Sequence, residues 1–227
     1  MEEKARGIVL GGVNLSENDK ILSIFTVEQG TVSAKIKGVK KAGAKLKFAA
    51  EPVCFAEFIL LDKNGFKTVI NASLIDSFYP LREDIKKYYA GAVVLEFIKK
   101  FAKENIVSHE LFFHAVSALK EIAYGDKIVK PVAEFLTTGL SLAGYALDFS
   151  SKISEKVYFD YRTGGFYGEP QGKAKEIKKE TYNALYSVAT GCDFGGNFSD
   201  GLKLLDYYIE KKTEEKLVAL KELIKLA

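Results

Sequence analysis

The sequence predicts an α+β chain, with a small barrel of short strands first and a helical domain after it. Three observations carry this. Short runs of β-branched and aromatic residues fill the first 76 residues or so, turn residues separate them, and the apolar spacing becomes helical near Leu81. Strands that precede helices, rather than alternate with them, argue for α+β or for two domains.

Five strands are expected. Arg6–Val13 is a short apolar run that ends near Gly11-Gly12. Lys20–Val27 is rich in β-branched and aromatic residues. Thr31–Lys37 alternates, with Val32, Ala34 and Ile36 on one face and Ser33, Lys35 and Lys37 on the other. Pro52–Leu61 is long and apolar, and Phe66–Ser73 follows an Asn64-Gly65 turn that signals a hairpin. Five strands in so short a span suggest an OB-fold, with a five-stranded SH3-like barrel as the competitor that periodicity cannot separate.

Helices are expected over Arg82–Lys103, His109–Tyr124, Lys130–Gly144, Lys173–Thr190 and Ser199–Leu226, with Pro131 in the first turn of the third and Ser199 as an N-cap. Residues 145–172 read as a loop, because Gly164, Gly165, Gly168, Pro170 and Gly172 crowd into it. The expected domains are residues 1–80 and 81–227, with the boundary near Ser77–Leu81.

Bulk properties narrow the function classes. Hydrophobic residues are 48% and charged residues 28%, an ordinary globular balance. The net charge of +3 does not by itself point to nucleic acid, so the distribution of charge has to. Only Arg6, Arg82 and Arg162 among the 33 basic residues are arginine. Arginine reads base edges bidentately and lysine acts as a point charge on phosphate, so any DNA binding should follow the backbone and tolerate sequence. Cys54 and Cys192 are too few for a zinc site or a disulfide framework, and a reduced, cytoplasmic setting is the expectation. The N-terminus lacks the pattern of a signal peptide, and no apolar run of about 18 residues suggests a membrane span.

The strongest local signal is a lysine cluster. Lys35, Lys37, Lys40, Lys41, Lys45 and Lys47 occur within thirteen residues with no acid among them, and Gly38, Ala42, Gly43 and Ala44 lie between them. Small residues let a backbone approach phosphates, and lysines displace counterions from them. The competing reading is a solvated, mobile loop. Phe25 and Phe48 are candidates for stacking on bases, although most aromatics serve cores.

Other motifs fail on spacing. Gly38 to Lys45 approaches a phosphate-binding loop, but Ala44 stands where lysine is required and Leu46 where a magnesium-binding hydroxyl belongs. His109 and His114 are five residues apart, about 140° around a helix, and cannot share a metal as HExxH histidines do. No serine sits in a nucleophile elbow. Glu96 falls close to the apolar stripe of the first helix, which reads as a satisfied, partly buried carboxylate. These failures argue against an enzyme and against a cofactor.

Taken in order, Gly7-Ile8-Val9-Leu10, Ser16 to Leu22, Phe25-Thr26, Gly30, Val32-Ser33-Ala34 and Lys37-Gly38-Val39-Lys40-Lys41 resemble the N-terminal barrel of the bacterial RecO family. Glu51-Pro52, Ile75-Asp76-Ser77-Phe78, Leu81 to Asp84 and Leu95-Glu96 continue the resemblance, with looser matches at Gly144-Tyr145 and Phe159…Gly164-Gly165. The resemblance implies an OB-fold followed by a helical domain. It also implies a non-enzymatic mediator of DNA repair and recombination that binds and anneals single- and double-stranded DNA and assists RecA loading onto strands coated by single-stranded DNA-binding protein. Implied partners are RecR and the acidic C-terminal tail of that coating protein. The basic loop carries over position by position, so the six lysines are the expected DNA-binding residues. Many members carry a four-cysteine zinc cluster, but the corresponding stretches here, Leu147–Glu155 and Phe166–Gly172, contain no cysteine. That region is expected to be held by packing of Tyr158, Phe159, Phe166 and Tyr167. The alternative function is a protein adaptor whose barrel binds no DNA.

Overall fold

A computed structural model describes residues 1–192 and 195–227. Five strands, β1 (Glu2–Asn14), β2 (Lys20–Thr26), β3 (Gly30–Ile36), β4 (Phe55–Lys63) and β5 (Phe66–Asp76), form a closed barrel. Around it the order is β1-β2-β3-β5-β4, with β4 returning to β1, and β3 against β5 is the parallel pair. That closure, by a parallel β3–β5 contact over Ala34–Ile36 and Lys67–Val69, is the OB arrangement. The choice between barrels that periodicity left open is thereby settled.

The alternation read from β3 holds. Val32, Ala34 and Ile36 are buried with Ala5, Val9, Leu22, Ile24, Ala56, Phe58, Leu60 and Val69 in one interior cluster. Strands β2, β3 and β4 contribute every second side chain to it, as a pleated wall requires. Gly30 makes the β2–β3 turn possible. Its φ is +69°, and a Cβ there would overlap the carbonyl of Ile106. The segment around Ile106 is fixed to the turn by the Asn105 amide, which donates to the Thr31 carbonyl at 3.1 Å.

The chain divides into two compact units, Met1–Pro80 with Ile98–Val116, and Leu81–Phe97 with Ser117–Ala227. The helical segment 98–116 thus goes with the barrel, where Phe112 packs against Phe25 and Phe55 at centroid distances of 5.5 and 5.8 Å.

The helices are α1 (Ile85–Phe101), α2 (His109–Tyr124), α3 (Val129–Leu142), α4 (Lys179–Thr190), α5 (Phe198–Thr213) and α6 (Val218–Leu226). Helix α1 starts later than the apolar spacing suggests because the Asp84 carboxylate accepts from the amides of Lys86 and Lys87 at 2.7 and 3.0 Å and caps it. Helix α5 is capped by Asn197, whose side chain accepts from the Asp200 amide at 3.0 Å, and not by Ser199. The single expected helix Ser199–Leu226 is two helices, broken at Glu214 with φ +62°.

The stretch expected to be loop holds most of a three-stranded antiparallel sheet of β6 (Val157–Asp160), β7 (Gly165–Tyr167) and β8 (Lys175–Ile177), in the order β7-β6-β8. Strand β8 therefore takes the residues expected to open α4. Its pairing with β6, Phe159 opposite Lys175 and Val157 opposite Ile177, outweighs the local helix tendency.

Glu96 is the satisfied carboxylate its position suggests. Its two oxygens accept from the backbone amides of Val218 and Ala219, each at 2.9 Å, so a side chain of α1 caps the N-terminus of α6. Leu217 provides no side-chain cap of its own. Replacing Glu96 by alanine should destabilise the protein by about 1–2 kcal/mol, as lost caps do. Urea unfolding of Glu96→Ala beside Glu96→Gln checks this. The amide retains one acceptor oxygen and should recover part of the loss.

Candidate nucleic-acid interface

The segment from Lys37 to Glu51 is a succession of tight turns, closed by amide-to-carbonyl bonds from Lys41 to Gly38, Ala44 to Lys41, Lys47 to Ala44 and Ala49 to Leu46 at 3.1–3.3 Å. Apolar side chains anchor it. Val39, Ala49 and Ala50 are buried in the barrel core, and Leu46 and Phe48 pack against it. With the apolar positions turned inward, Lys37, Lys40, Lys41, Lys45 and Lys47 are left exposed. The loop is thus anchored to the barrel by its apolar positions, with its lysines in solvent.

Asp19 fastens its start. One carboxylate oxygen accepts from the Gly38 amide at 2.9 Å, and the other pairs with Lys35 Nζ at 2.9 Å. The Gly38 hydrogen bond, followed by Lys35, holds the Asp19 carboxyl below the usual carboxylate range. The Lys40 amide donates to the Asn18 carbonyl at 3.1 Å and ties the next turn to the same β1–β2 connection.

Among the described residues, Lys35 is consequently the expected site residue that forms an ion pair with a carboxylate, while the other five form the exposed cationic surface. The value of Asp19 was not apparent from sequence, because its partners lie sixteen to nineteen residues away. Phe25 is withdrawn as a base-stacking candidate, since it is fully buried against Phe112. Phe48 is half-buried, and packing against the core occupies one side of it.

Among the described residues, no group of three or more His, Cys, Asp or Glu side chains could hold a metal ion. His109 is exposed at the start of α2, and His114 is half-buried one and a half turns on. Nor is any helix among the described residues long and apolar enough to cross a membrane.

The Gly-rich region around β6 and β7, where the resemblance led one to look for a zinc cluster, is packed with rings. Phe166 stacks on Phe149 at 4.8 Å, contacts Phe159 at 4.9 Å and Tyr182 at 5.3 Å, and Phe159 meets Tyr208 at 5.7 Å. Of the four residues expected to hold this region, Phe159 and Phe166 belong to the cluster. Tyr158 and Tyr167 are cross-strand partners and only partly buried. The donor set does not suit zinc, because thiolates are missing and rings occupy the interior. Purified protein should contain no stoichiometric zinc by elemental analysis, and about one zinc per chain would contradict this.

Fold and surface together define a class: OB-fold proteins with a cationic loop on the barrel and a helical domain following it in sequence. The comparisons with known proteins are more specific. Residues 1–78 match the family model "Recombination protein O N terminal" and residues 82–221 match "Recombination protein O C terminal". The chain belongs to the RecO family. Similar proteins named DNA repair protein RecO occur in Acetivibrio thermocellus (28% identical, covering 72% of this chain and 68% of that one) and Clostridium perfringens (27% identical, 79% and 76%). Another, in Shouchella clausii, is 27% identical over 73% of this chain and 67% of the relative.

Proposed function

We propose that this protein is a DNA-repair mediator that binds DNA through the barrel loop, without chemistry of its own, and brings complementary strands together. The observation that carries the reading is the set of five exposed lysines on a loop whose apolar side chains are buried in an OB barrel. A preformed cationic surface captures phosphates without first ordering a flexible segment, and lysine without arginine gives capture that ignores sequence. Two strands drawn to such a surface have part of their mutual repulsion neutralised, which favours pairing. Family membership and the names of the relatives support placing this activity in DNA repair and recombination. In that setting the protein would assist RecA loading onto strands coated by single-stranded DNA-binding protein. Its partners would be RecR and the acidic C-terminal tail of the coating protein.

The test is fluorescence anisotropy of the full chain with labelled single-stranded DNA across a salt series. If about four phosphates are contacted, the log–log slope should be near −3, from about −0.7 per phosphate. Affinity should differ little between mixed sequences. Salt-insensitive or absent binding would favour the protein-adaptor alternative.

A further inference from the structure

The helical unit carries a second cationic surface, built around the β6–β7 turn and unconnected in sequence with the lysine loop. Tyr161 and Tyr207 form an edge-to-face pair with centroids 5.7 Å apart and an interplanar angle of 80°, and both rings are partly exposed. Arg162 is exposed beside them. Its Nε donates to Asp160 Oδ1 at 3.0 Å, and Asp160 is 96% buried, so the guanidinium rests on an anchored carboxylate.

Two lysines converge on this turn from other elements. Lys212, on α5, donates through Nζ to the Arg162 carbonyl oxygen. Lys173 follows Gly172, which lies against Arg162: a Cβ on that glycine would sit 3.1 Å from Arg162 Nη2. The bonds from Arg162 hold the Asp160 carboxyl below its usual range, and the charge of Lys173 adds to the effect. Two cations therefore answer the buried carboxylate, Lys212 joins them through the Arg162 carbonyl, and Lys173 and Lys212 are both exposed.

We propose that Tyr161 and Tyr207, flanked by Lys173, Lys212 and Arg162, form a second binding surface for single-stranded nucleic acid. The chemistry separates this ligand from a simple anion. Phosphates need only the cations, whereas partly exposed rings beside them offer faces on which unpaired bases stack. An acidic peptide without apolar side chains would use the cations and leave the rings idle. The surface deepens the mediator reading and rests on it: a protein that brings strands together needs somewhere to hold the second strand.

Full-length variants separate the possibilities by anisotropy with labelled single-stranded DNA. In the Lys40→Ala, Lys41→Ala, Lys45→Ala background, the residual salt slope should be near −1, and adding Lys173→Ala and Lys212→Ala should bring it close to zero. Lys173→Arg with Lys212→Arg, in place of the two alanines, should restore it. Tyr161→Leu with Tyr207→Leu should lower affinity about five- to tenfold at an unchanged slope, the signature of lost stacking rather than lost charge. Folding of each variant is checked by its circular dichroism spectrum. An unchanged slope in the folded lysine variants overturns this surface while leaving the barrel loop intact. A slope that falls while the tyrosine variant binds normally overturns the nucleic-acid assignment in favour of an anion or acidic-peptide site. Absence of salt-sensitive binding by the unmodified protein is the distinct result that removes the mediator reading itself.

Discussion

Replacing Phe166 by alanine should destabilise the protein by about 3–5 kcal/mol, the range for removing a large buried aromatic from a packed core. Phe166 is fully buried on β7 and touches Phe149, Phe159 and Tyr182. It links the small sheet to the helix that bears Tyr182. Truncation leaves a ring-sized hole among other rings, which cannot all shift to fill it without losing their own edge and face contacts. Phe166→Leu keeps most of the volume and should cost much less. Urea unfolding distinguishes the two. If the alanine variant loses under 1 kcal/mol, the ring cluster is not what holds this region together.

The second large effect is expected at the barrel loop. Replacing Lys40, Lys41 and Lys45 by alanine should flatten the salt slope for single-stranded DNA by about 2 units, with affinity falling by a similar factor for all sequences. The structure sharpens which lysines to change. Lys35 is paired with Asp19 at 2.9 Å, so its removal would disturb the anchor of the loop as well as its charge. Lys40, Lys41 and Lys45 are exposed and lie between the apolar anchors Val39, Leu46 and Phe48. Stability should therefore stay within about 0.5 kcal/mol, as for ordinary surface substitutions.

How far the fold was legible depends on the range of the interactions that specify each part. The barrel strands were readable because the signal is local: Val32, Ala34 and Ile36 alternate with polar residues, and Asn64-Gly65 marks a hairpin. Helix α2 was readable over its whole length for the same reason. The small sheet was not, since β6, β7 and β8 are three or four residues each and exist through pairing with one another. Glycines in the turns masked them. The cap of α6 lay beyond any local reading, because Glu96 is more than 120 residues from the amides it accepts from.

The lysines of the candidate site were legible as composition, but their arrangement was not. Lysine spacing said nothing about which side chains would be free. That was decided by Asp19, which engages Lys35, and by the apolar residues that fold the segment into turns. Among the aromatics, sequence alone could not separate Phe25, buried in the barrel unit, from Tyr161 and Tyr207, which are partly exposed in the other unit.

The central claim is that the cationic loop on the OB barrel binds DNA by its phosphates. The most direct measurement is the salt dependence of single-stranded DNA binding by the full chain, compared between the unmodified protein and its folded Lys40→Ala, Lys41→Ala, Lys45→Ala variant. The account predicts a slope near −3 that falls to near −1. An identical slope for the two proteins would contradict it and would leave the loop as a well-folded surface with no part in DNA binding.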